Sequence, residues 1–193
     1  MCVICVSPRG TRQPSKSEIH KMFLRNPDGA GYMYARDGKV TIHKGFMDER
    51  EFLLALKSEG FTAKDPVVYH FRISTQAGVD PSMTHPFPLS NRREVMKALD
   101  LVCGCGIAHN GIIHLTSDPK EKEYSDTALF IADYMSRIVA RPADLKDPEV
   151  LSVIECLIGS KMAILDGSGY IATVGQFYND HGMLFSNLYH RSI

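Results

Sequence analysis

Short apolar segments of the strand type occur in both halves of the chain, with helical segments between them, and this order most constrains the fold. Residues 2–6 and 65–74 are runs of β-branched and apolar residues, which are typical of buried strands. Ile19, Met22 and Phe23 form an apolar stripe with helical spacing. Because strands and helices do not alternate regularly as in βαβ units, the sequence predicts an α+β fold.

Capping and turn residues predict where these elements begin and end. Ser15 and Glu18 have the spacing of a capping box, in which each residue caps the other at the start of a helix. The pattern predicts helices over 15–25, 52–60, 126–140 and 148–158, hairpins around Asp37-Gly38, Asn110-Gly111 and Gly167, a surface loop over 76–92 and a final strand over 182–189. Because no linker separates these elements, we expect a single domain over residues 1–193.

The overall charge argues against a nucleic-acid-binding protein. The chain has 22 lysine and arginine residues against 22 aspartate and glutamate residues, whereas nucleic-acid binders carry a basic patch or stripe. No apolar run reaches the roughly 18 residues of a membrane span. The start also lacks the basic and then apolar segments of a secretory signal. We therefore expect a cytoplasmic protein without membrane or nucleic-acid partners.

The five cysteines predict reduced thiols and not a disulfide framework, because their number is odd and the chain is 193 residues long. Cys2 and Cys5 have the spacing of a metal-binding pair, but a zinc site usually needs a second such pair. Cys103 and Cys105 are separated by only one residue, so we expect neither a metal nor another cofactor. Apart from Cys2, the cysteines, including Cys156, are expected to be small buried hydrophobic residues.

Cys2 is also a candidate nucleophile, because removal of Met1 would make it the first residue of the mature chain. Methionine aminopeptidases act when the second side chain is small, as cysteine is. An α-amino group has a pKa of about 7.7–8.0 and can take the proton of the thiol on the same residue near neutral pH. Nucleophile and base then belong to one residue, as in N-terminal nucleophile hydrolases. On position alone, an ordinary thiol is the alternative.

Three other groups each allow an ordinary and a functional interpretation. Arg72, at the end of a predicted strand, can form a surface ion pair or hold a carboxylate through its guanidinium fork. Asn110-Gly111 can be a tight turn or can donate two N–H groups to a developing oxyanion. Asp126, in the first turn of a predicted helix, can stabilise the helix dipole or bind a substrate ammonium group.

Taken in order, these motifs resemble the class II glutamine amidotransferase domain, whose nucleophile is an N-terminal cysteine. The resemblance runs from Cys2 through NPDGAGYMY, HFRISTQAG, THPF, HNGII and SDTALF to GMLFSNLY, and so covers most of the chain. It implies the four-layer αββα sandwich of N-terminal nucleophile hydrolases, with two stacked antiparallel sheets between helix layers. It also implies a glutaminase that works without a cofactor through a γ-glutamyl thioester.

The resemblance implies a role for each matched position. Cys2 matches the nucleophile whose α-amino group is the base, and Asp28 and Gly29 match a structural turn near it. The remaining matches are Arg72 with Thr75 for the glutamine α-carboxylate, Asn110 and Gly111 for the oxyanion hole, Asp126 for the α-ammonium group, and His85 for the loop beside the site.

The family's second, ammonia-consuming domain has no counterpart after residue 175, so the resemblance implies delivery of ammonia to a separate synthase or synthetase subunit. Two positions depart from the family's frequent pattern, Ile73 in place of an aromatic residue and Gln76 in place of histidine. Two alternatives therefore stay open. One is an N-terminal cysteine amidohydrolase that acts on another γ-glutamyl or small amide substrate. The other is a catalytically silent regulatory subunit of the same fold.

Overall fold

The computed structural model describes residues 1–74, 79–116 and 123–192, and within these ranges the chain forms four helices and eleven strands. The helices are α1 (Lys16–Arg25), α2 (Glu49–Glu59), α3 (Asp126–Phe130, continued by a π-helical stretch over Ile131–Met135 and by Ser136–Ile138) and α4 (Pro148–Ile158). The strands are β1 (Val3–Ser7), β2 (Ala30–Arg36), β3 (Lys39–Phe46), β4 (Val67–Phe71), β5 (Phe87–Pro88), β6 (Asp100–Cys103), β7 (Cys105–Asn110), β8 (Lys161–Asp166), β9 (Ile171–Val174), β10 (Tyr178–Asp180) and β11 (Met183–Phe185).

The strands form two antiparallel sheets, which confirms the predicted α+β class. The larger sheet has the order β10-β11-β1-β4-β2-β3-β6, and the smaller has the order β5-β7-β8-β9. β1 lies in the interior of the larger sheet, where Val3 pairs with Phe71 of β4 and Cys5 pairs with Phe185 of β11. Residue 2 therefore enters the sheet between two strands that come from distant parts of the chain.

Three apolar clusters fill the spaces between these elements. The first packs α1 and α2 on the larger sheet, the second lies between the two sheets, and the third packs the smaller sheet against α3 and α4. Buried members of the three clusters are, in the same order, Phe23 and Phe52, Ile4 and Ala163, and Phe130 and Ile154. Burial of each of the larger side chains contributes roughly 1.5–3 kcal/mol to the free energy of folding. Together these contacts hold the sheets and helices in place.

The predicted cap of α1 is confirmed, and α4 also begins at a capping residue. The Ser15 hydroxyl accepts the Glu18 N–H at 3.2 Å, and the Glu18 carboxylate accepts the Ser15 N–H at 2.7 Å. The Asp147 carboxylate accepts the Glu149 N–H at the start of α4, which ends at Gly159 in the left-handed conformation. None of the helices in the described ranges is both long and apolar enough to cross a bilayer.

Two sequence predictions are wrong in part. Asn110-Gly111 does not form a hairpin, because β7 ends at Asn110 and a 3₁₀ turn follows at His114–Thr116. The Asp126 carboxylate accepts the Ile113 N–H, so this backbone is held by α3 and not by a second strand. The predicted surface loop over 76–92 contains the strand β5, whose Phe87 is buried opposite Ile107 of β7.

The last part of the chain also differs from its prediction. The predicted strand over 182–189 is only the three-residue β11, and it pairs with β10, which the sequence did not predict. Cys5 and Cys105 are buried as expected, but Cys156 is exposed and Cys103 is only partly buried. Cys156 faces outward because α4 packs on the core through the opposite face, which carries Ile154 and Ile158.

Candidate functional site

Cys2 lies directly before β1 and next to the end of β4. Its side chain is half-buried, and Sγ is 3.7 Å from the carbonyl oxygen of Ile73. The β1–β4 pairing explains this contact, because Val3 opposite Phe71 leaves Cys2 beside the residues that follow β4. Burial raises the pKa of the Cys2 thiol, whereas the Ile73 backbone, the N-terminal ammonium group and Arg72 act in the opposite direction.

Ser186 and Asn187, which follow β11, connect Cys2 to Asn110. The Asn187 side chain donates from Nδ2 to the Cys2 carbonyl oxygen at 2.6 Å. The Ser186 hydroxyl oxygen accepts two hydrogen bonds of 2.9 Å, one from the Ile4 N–H and one from Asn110 Nδ2. The sequence analysis assigned no role to either residue, although both lie in the segment GMLFSNLY that carries part of the resemblance.

Asn110 is buried at the carboxyl end of β7 with unused hydrogen-bonding capacity. One Nδ2 hydrogen goes to Ser186, and a side-chain amide has two. Its Oδ1 atom is buried and has no hydrogen-bond partner within the described part of the chain. A buried amide of this kind normally has its groups paired, so the arrangement is suited to an incoming polar group.

Gly111 lies so close to Ser160 that only glycine fits. A Cβ atom built on Gly111 would be 2.4 Å from Ser160 Cβ and 2.7 Å from its Oγ, and φ is +158°. The Gly111 backbone is therefore packed against the start of β8, next to the Asn110 amide. This close approach explains why residue 111 is a glycine, and the turn prediction did not include it.

The backbone of Arg72 is held in place, and within the described ranges its guanidinium uses few of its donors. Its N–H donates to the Gly29 carbonyl at 2.8 Å, and its carbonyl accepts the Asp28 N–H at 3.0 Å. The Asp28 carboxylate also accepts the Ser74 N–H at 2.7 Å. Among the described residues, the guanidinium makes one hydrogen bond, from Nη1 to the Asp80 carbonyl at 3.3 Å. The Asp28-Gly29 turn thus fixes the segment that carries Arg72.

Asp126 fixes the chain just after Gly111. Its Oδ2 accepts the Ile113 N–H at 2.6 Å and its Oδ1 accepts the Thr127 N–H at 2.7 Å. The side chain is half-buried at the first residue of α3, behind the N-cap Ser125. Each carboxylate oxygen can accept more than one hydrogen bond, so these contacts are compatible with an additional cation.

His85 lies in the interior of the protein and not on a surface loop. Its ring centroid is 4.4 Å from that of His70 and 4.8 Å from that of Phe87. His70 Nε2 donates to the His109 carbonyl at 3.1 Å. Burial lowers the pKa of His85 well below its usual value, that of His70 to about 3 and that of His109 to about 4. These three histidines are therefore neutral near pH 7.

Hydrogen bonds join several of the predicted site residues into one connected group. Cys2 reaches Asn110 through Asn187 and Ser186, and it reaches the segment of Arg72 through Ile73. Asp126 joins the group through Ile113, three residues after Asn110. The ring centroid of His85 is 6.3 Å from that of His109, the residue before Asn110, and Thr75 lies outside the described residues.

Other candidate sites lie away from this group. Two surface clefts of about 470 and 500 Å³ are lined by residues of α4 and by residues around α1 and α2, respectively, and neither lining includes a predicted site residue. In the described ranges, no three histidine, cysteine or carboxylate side chains are arranged to hold a metal ion. Comparison of the sequence with protein-family models and with curated proteins gives no match.

Proposed function

We propose that this protein is a class II glutamine amidotransferase domain that hydrolyses the side-chain amide of glutamine with Cys2 as the nucleophile. The observation that carries the proposal is the hydrogen-bonded connection from Cys2 through Asn187 and Ser186 to the Asn110 amide. It holds a thiol next to the N-terminus in the same group as a buried amide with a spare donor. Such a pair is what acyl transfer requires, a nucleophile and a donor for the oxyanion.

The proposal includes the αββα sandwich of N-terminal nucleophile hydrolases. The order of the three apolar clusters supports it, because they separate helices, the larger sheet, the smaller sheet and helices in turn. In this arrangement β1 and β7 belong to facing sheets. Cys2 before one strand and Asn110 at the end of the other thus approach the same substrate from two sheets.

Activation of the thiol depends on removal of Met1, which is 69% exposed and therefore accessible to an aminopeptidase. With Met1 present, burial raises the pKa of the Cys2 thiol and the chain offers no α-amine on that residue. Once Met1 is removed, the α-amino group of Cys2 has a pKa of about 7.7–8.0 in its unperturbed state. It then accepts the thiol proton, and its positive charge stabilises the thiolate.

Arg72 and Asp126 supply the charges that recognise an α-amino acid. The guanidinium fork of Arg72 binds the α-carboxylate, for which its planar pair of donors is well suited. Asp126 accepts the α-ammonium group. The second Nδ2 hydrogen of Asn110 and the Gly111 N–H face the amide oxygen as it becomes an oxyanion.

The reaction proceeds in two balanced steps. The thiolate sulfur forms a bond to the amide carbon, the carbon–nitrogen bond breaks, and the nitrogen leaves as ammonia with the proton taken from the thiol. Water then adds to the γ-glutamyl thioester, glutamate leaves, and the thiol is restored. The ammonia passes to a separate synthase or synthetase subunit that consumes it.

The proposal is tested with untagged protein, in which intact mass shows whether Met1 has been removed. We expect ammonia release from glutamine and alkylation of Cys2 by a diazoketone analogue of glutamine, with excess glutamine blocking the alkylation. Cys2→Ala should reduce ammonia release to a trace and leave the fold intact. Cys156→Ala is the matched control, because it removes an exposed thiol, and it should keep wild-type activity.

Two results would overturn this assignment. More than trace hydrolysis by the Cys2→Ala variant would exclude Cys2 as the nucleophile. A Met1-free wild-type protein that ignores glutamine but hydrolyses another γ-glutamyl amide would keep the nucleophile and change the substrate. Neither result depends on identifying the subunit that accepts ammonia.

A further inference from the structure

His109 is a fully buried histidine between two hydroxyl groups that belong to different elements. Its Nδ1 is 2.9 Å from the Thr127 hydroxyl oxygen in α3, and its Nε2 is 2.6 Å from the Ser160 hydroxyl oxygen before β8. Only 1% of the residue is exposed. The side chain thus has no access to substrate, although it directly precedes Asn110.

The hydroxyl hydrogens determine which ring nitrogen of His109 carries the proton. Ser160 has one hydroxyl hydrogen, which it donates to the Ile158 carbonyl oxygen at 3.0 Å. With that hydrogen on the Ile158 carbonyl, Ser160 accepts from His109, which assigns the ring hydrogen to Nε2. The neutral ring then has a lone pair at Nδ1, and the Thr127 hydroxyl donates to it.

The Thr127 bond affects the carboxylate of Asp126. The Thr127 hydroxyl oxygen lies 2.9 Å from His109 Nδ1 and 3.3 Å from Asp126 Oδ1. The Thr127 N–H donates to the same Oδ1 atom at 2.7 Å. The contact with His109 thus fixes the residue whose backbone holds the Asp126 carboxylate.

The Ser160 bond affects the backbone of Gly111. Ser160 Cβ and Oγ are the atoms that leave no room for a side chain on Gly111. The short bond from His109 Nε2 holds the Ser160 side chain in one rotamer. The surface on which the Gly111 peptide rests is therefore fixed by the same imidazole that fixes Thr127.

We propose that His109 is a positioning residue for two parts of the site. Through Thr127 it positions the Asp126 carboxylate for the substrate α-ammonium group, and through Ser160 it fixes the Gly111 N–H for the oxyanion. The inference rests on the proposed function. It adds that the preference for an amide with an α-ammonium group over one without it depends on a residue that never touches the substrate.

Single substitutions separate the two connections. Thr127→Val removes one hydroxyl at nearly constant volume, and Ser160→Ala removes the other. The substrates are glutamine and its deamino analogue, which lacks the α-ammonium group. We expect Thr127→Val to lower the ratio of kcat/KM for glutamine over the analogue by about 3- to 10-fold, the effect of one lost hydrogen bond. Ser160→Ala should lower kcat/KM for both substrates by a similar factor and leave the ratio unchanged.

Substitutions of His109 itself should combine the two effects. His109→Phe keeps a ring and loses both hydrogen bonds, so both the ratio and the overall kcat/KM should fall. His109→Gln retains one donor and one acceptor and should recover part of each. His20→Gln, at an exposed position that contacts Glu49, is the control and should match wild type. Thermal unfolding of each variant checks that it is folded.

A spectroscopic measurement tests the hydrogen-bond pattern without reference to activity. In protein labelled with ¹⁵N-histidine, we expect His109 to be neutral at pH 7 with the hydrogen on Nε2. A hydrogen on Nδ1, or wild-type kinetics in both Thr127→Val and Ser160→Ala, would overturn the positioning role while the proposed function stands. A Met1-free wild-type protein that releases no ammonia from glutamine would instead overturn the proposed function, and the positioning role with it.

Discussion

At the scale of single residues, Ser186 determines how the Asn110 amide is oriented. It is completely buried, and its oxygen accepts from the backbone of β1 and from Asn110 Nδ2 at the same distance of 2.9 Å. The Ile4 N–H fixes the hydroxyl, and the hydroxyl fixes the amide. The direction of the second hydrogen on Nδ2 is thus set by a residue that follows β11.

Ser186→Ala should lower kcat for glutamine by about tenfold or more and leave KM nearly unchanged. Loss of an oxyanion donor costs roughly 10²–10³-fold in kcat, and here the donor remains but loses its orientation. An interaction made only in the transition state affects kcat and not KM. Steady-state kinetics would show this, with Ser152→Ala on the exposed face of α4 as the control. An unchanged kcat would mean that Asn110 is oriented by other contacts.

The residues of the proposed site differ in how readily the sequence reveals them. Cys2, Asn110 and Asp126 stand in recognisable motifs, and their local surroundings already suggest chemistry. Ser186 and Asn187 act on residues that are 182 and 185 positions away in the chain. No local pattern contains such contacts, because they exist only after β11 pairs with β1.

At the scale of elements, the helix ends are determined by their own sequence. Ser15 and Glu18 satisfy two N–H groups at the start of α1 without help from the rest of the protein. The same holds for Asp147 before α4. The short strands cannot be predicted from their own sequence. β5 has two residues and β10 and β11 have three each, which is too few to show the alternation of apolar and polar residues that is typical of a strand. Their formation depends on the neighbouring strand.

Ser15→Ala should lower the free energy of unfolding by about 1 kcal/mol, the usual cost of losing an N-cap side chain. The Ser15 hydroxyl is exposed, so the loss comes from the unpaired Glu18 N–H and not from packing. Urea denaturation would measure it. Ser17→Ala, two residues later and inside α1, is the matched control. Alanine favours the helix there, so the free energy of unfolding should stay equal or rise slightly. Equal effects of the two substitutions would refute the capping explanation.

At the scale of the whole molecule, the interior contains ionisable groups that burial keeps neutral. His70, His85 and His109 come from three different segments. The ring centroid of His85 is 4.4 Å from that of His70 and 6.3 Å from that of His109. Burial is the largest cause of the lowered pKa of each. An unfolded histidine has a pKa of about 6.5, so on acidification the unfolded chain binds protons before the folded protein does.

The free energy of unfolding should therefore fall as the pH decreases below about 6.5, and the fall should continue until the folded histidines are protonated near the pKa values of about 3 and 4 of His70 and His109. His85→Phe should make this decrease less steep, because it removes one of the histidines that bind a proton in the unfolded chain first. Within the described residues neither ring nitrogen of His85 has a hydrogen-bond partner to lose. Urea denaturation between pH 4 and 7.5 would measure it, with His20→Phe on the surface as the control. Equal slopes in His85→Phe and wild type would contradict this explanation.

The position of β1 between β4 and β11 imposes an order of events during synthesis. Cys2 is made early, but Asn187, which holds its carbonyl, is made 185 residues later. At the usual rate of 5–20 residues per second, that interval is roughly 10–40 s. During it β1 can pair with β4 but not with β11, which has not yet been made. The proposed removal of Met1 can thus take place before Ser186 and Asn187 reach β1, and the last residues to be made complete the surroundings of Cys2.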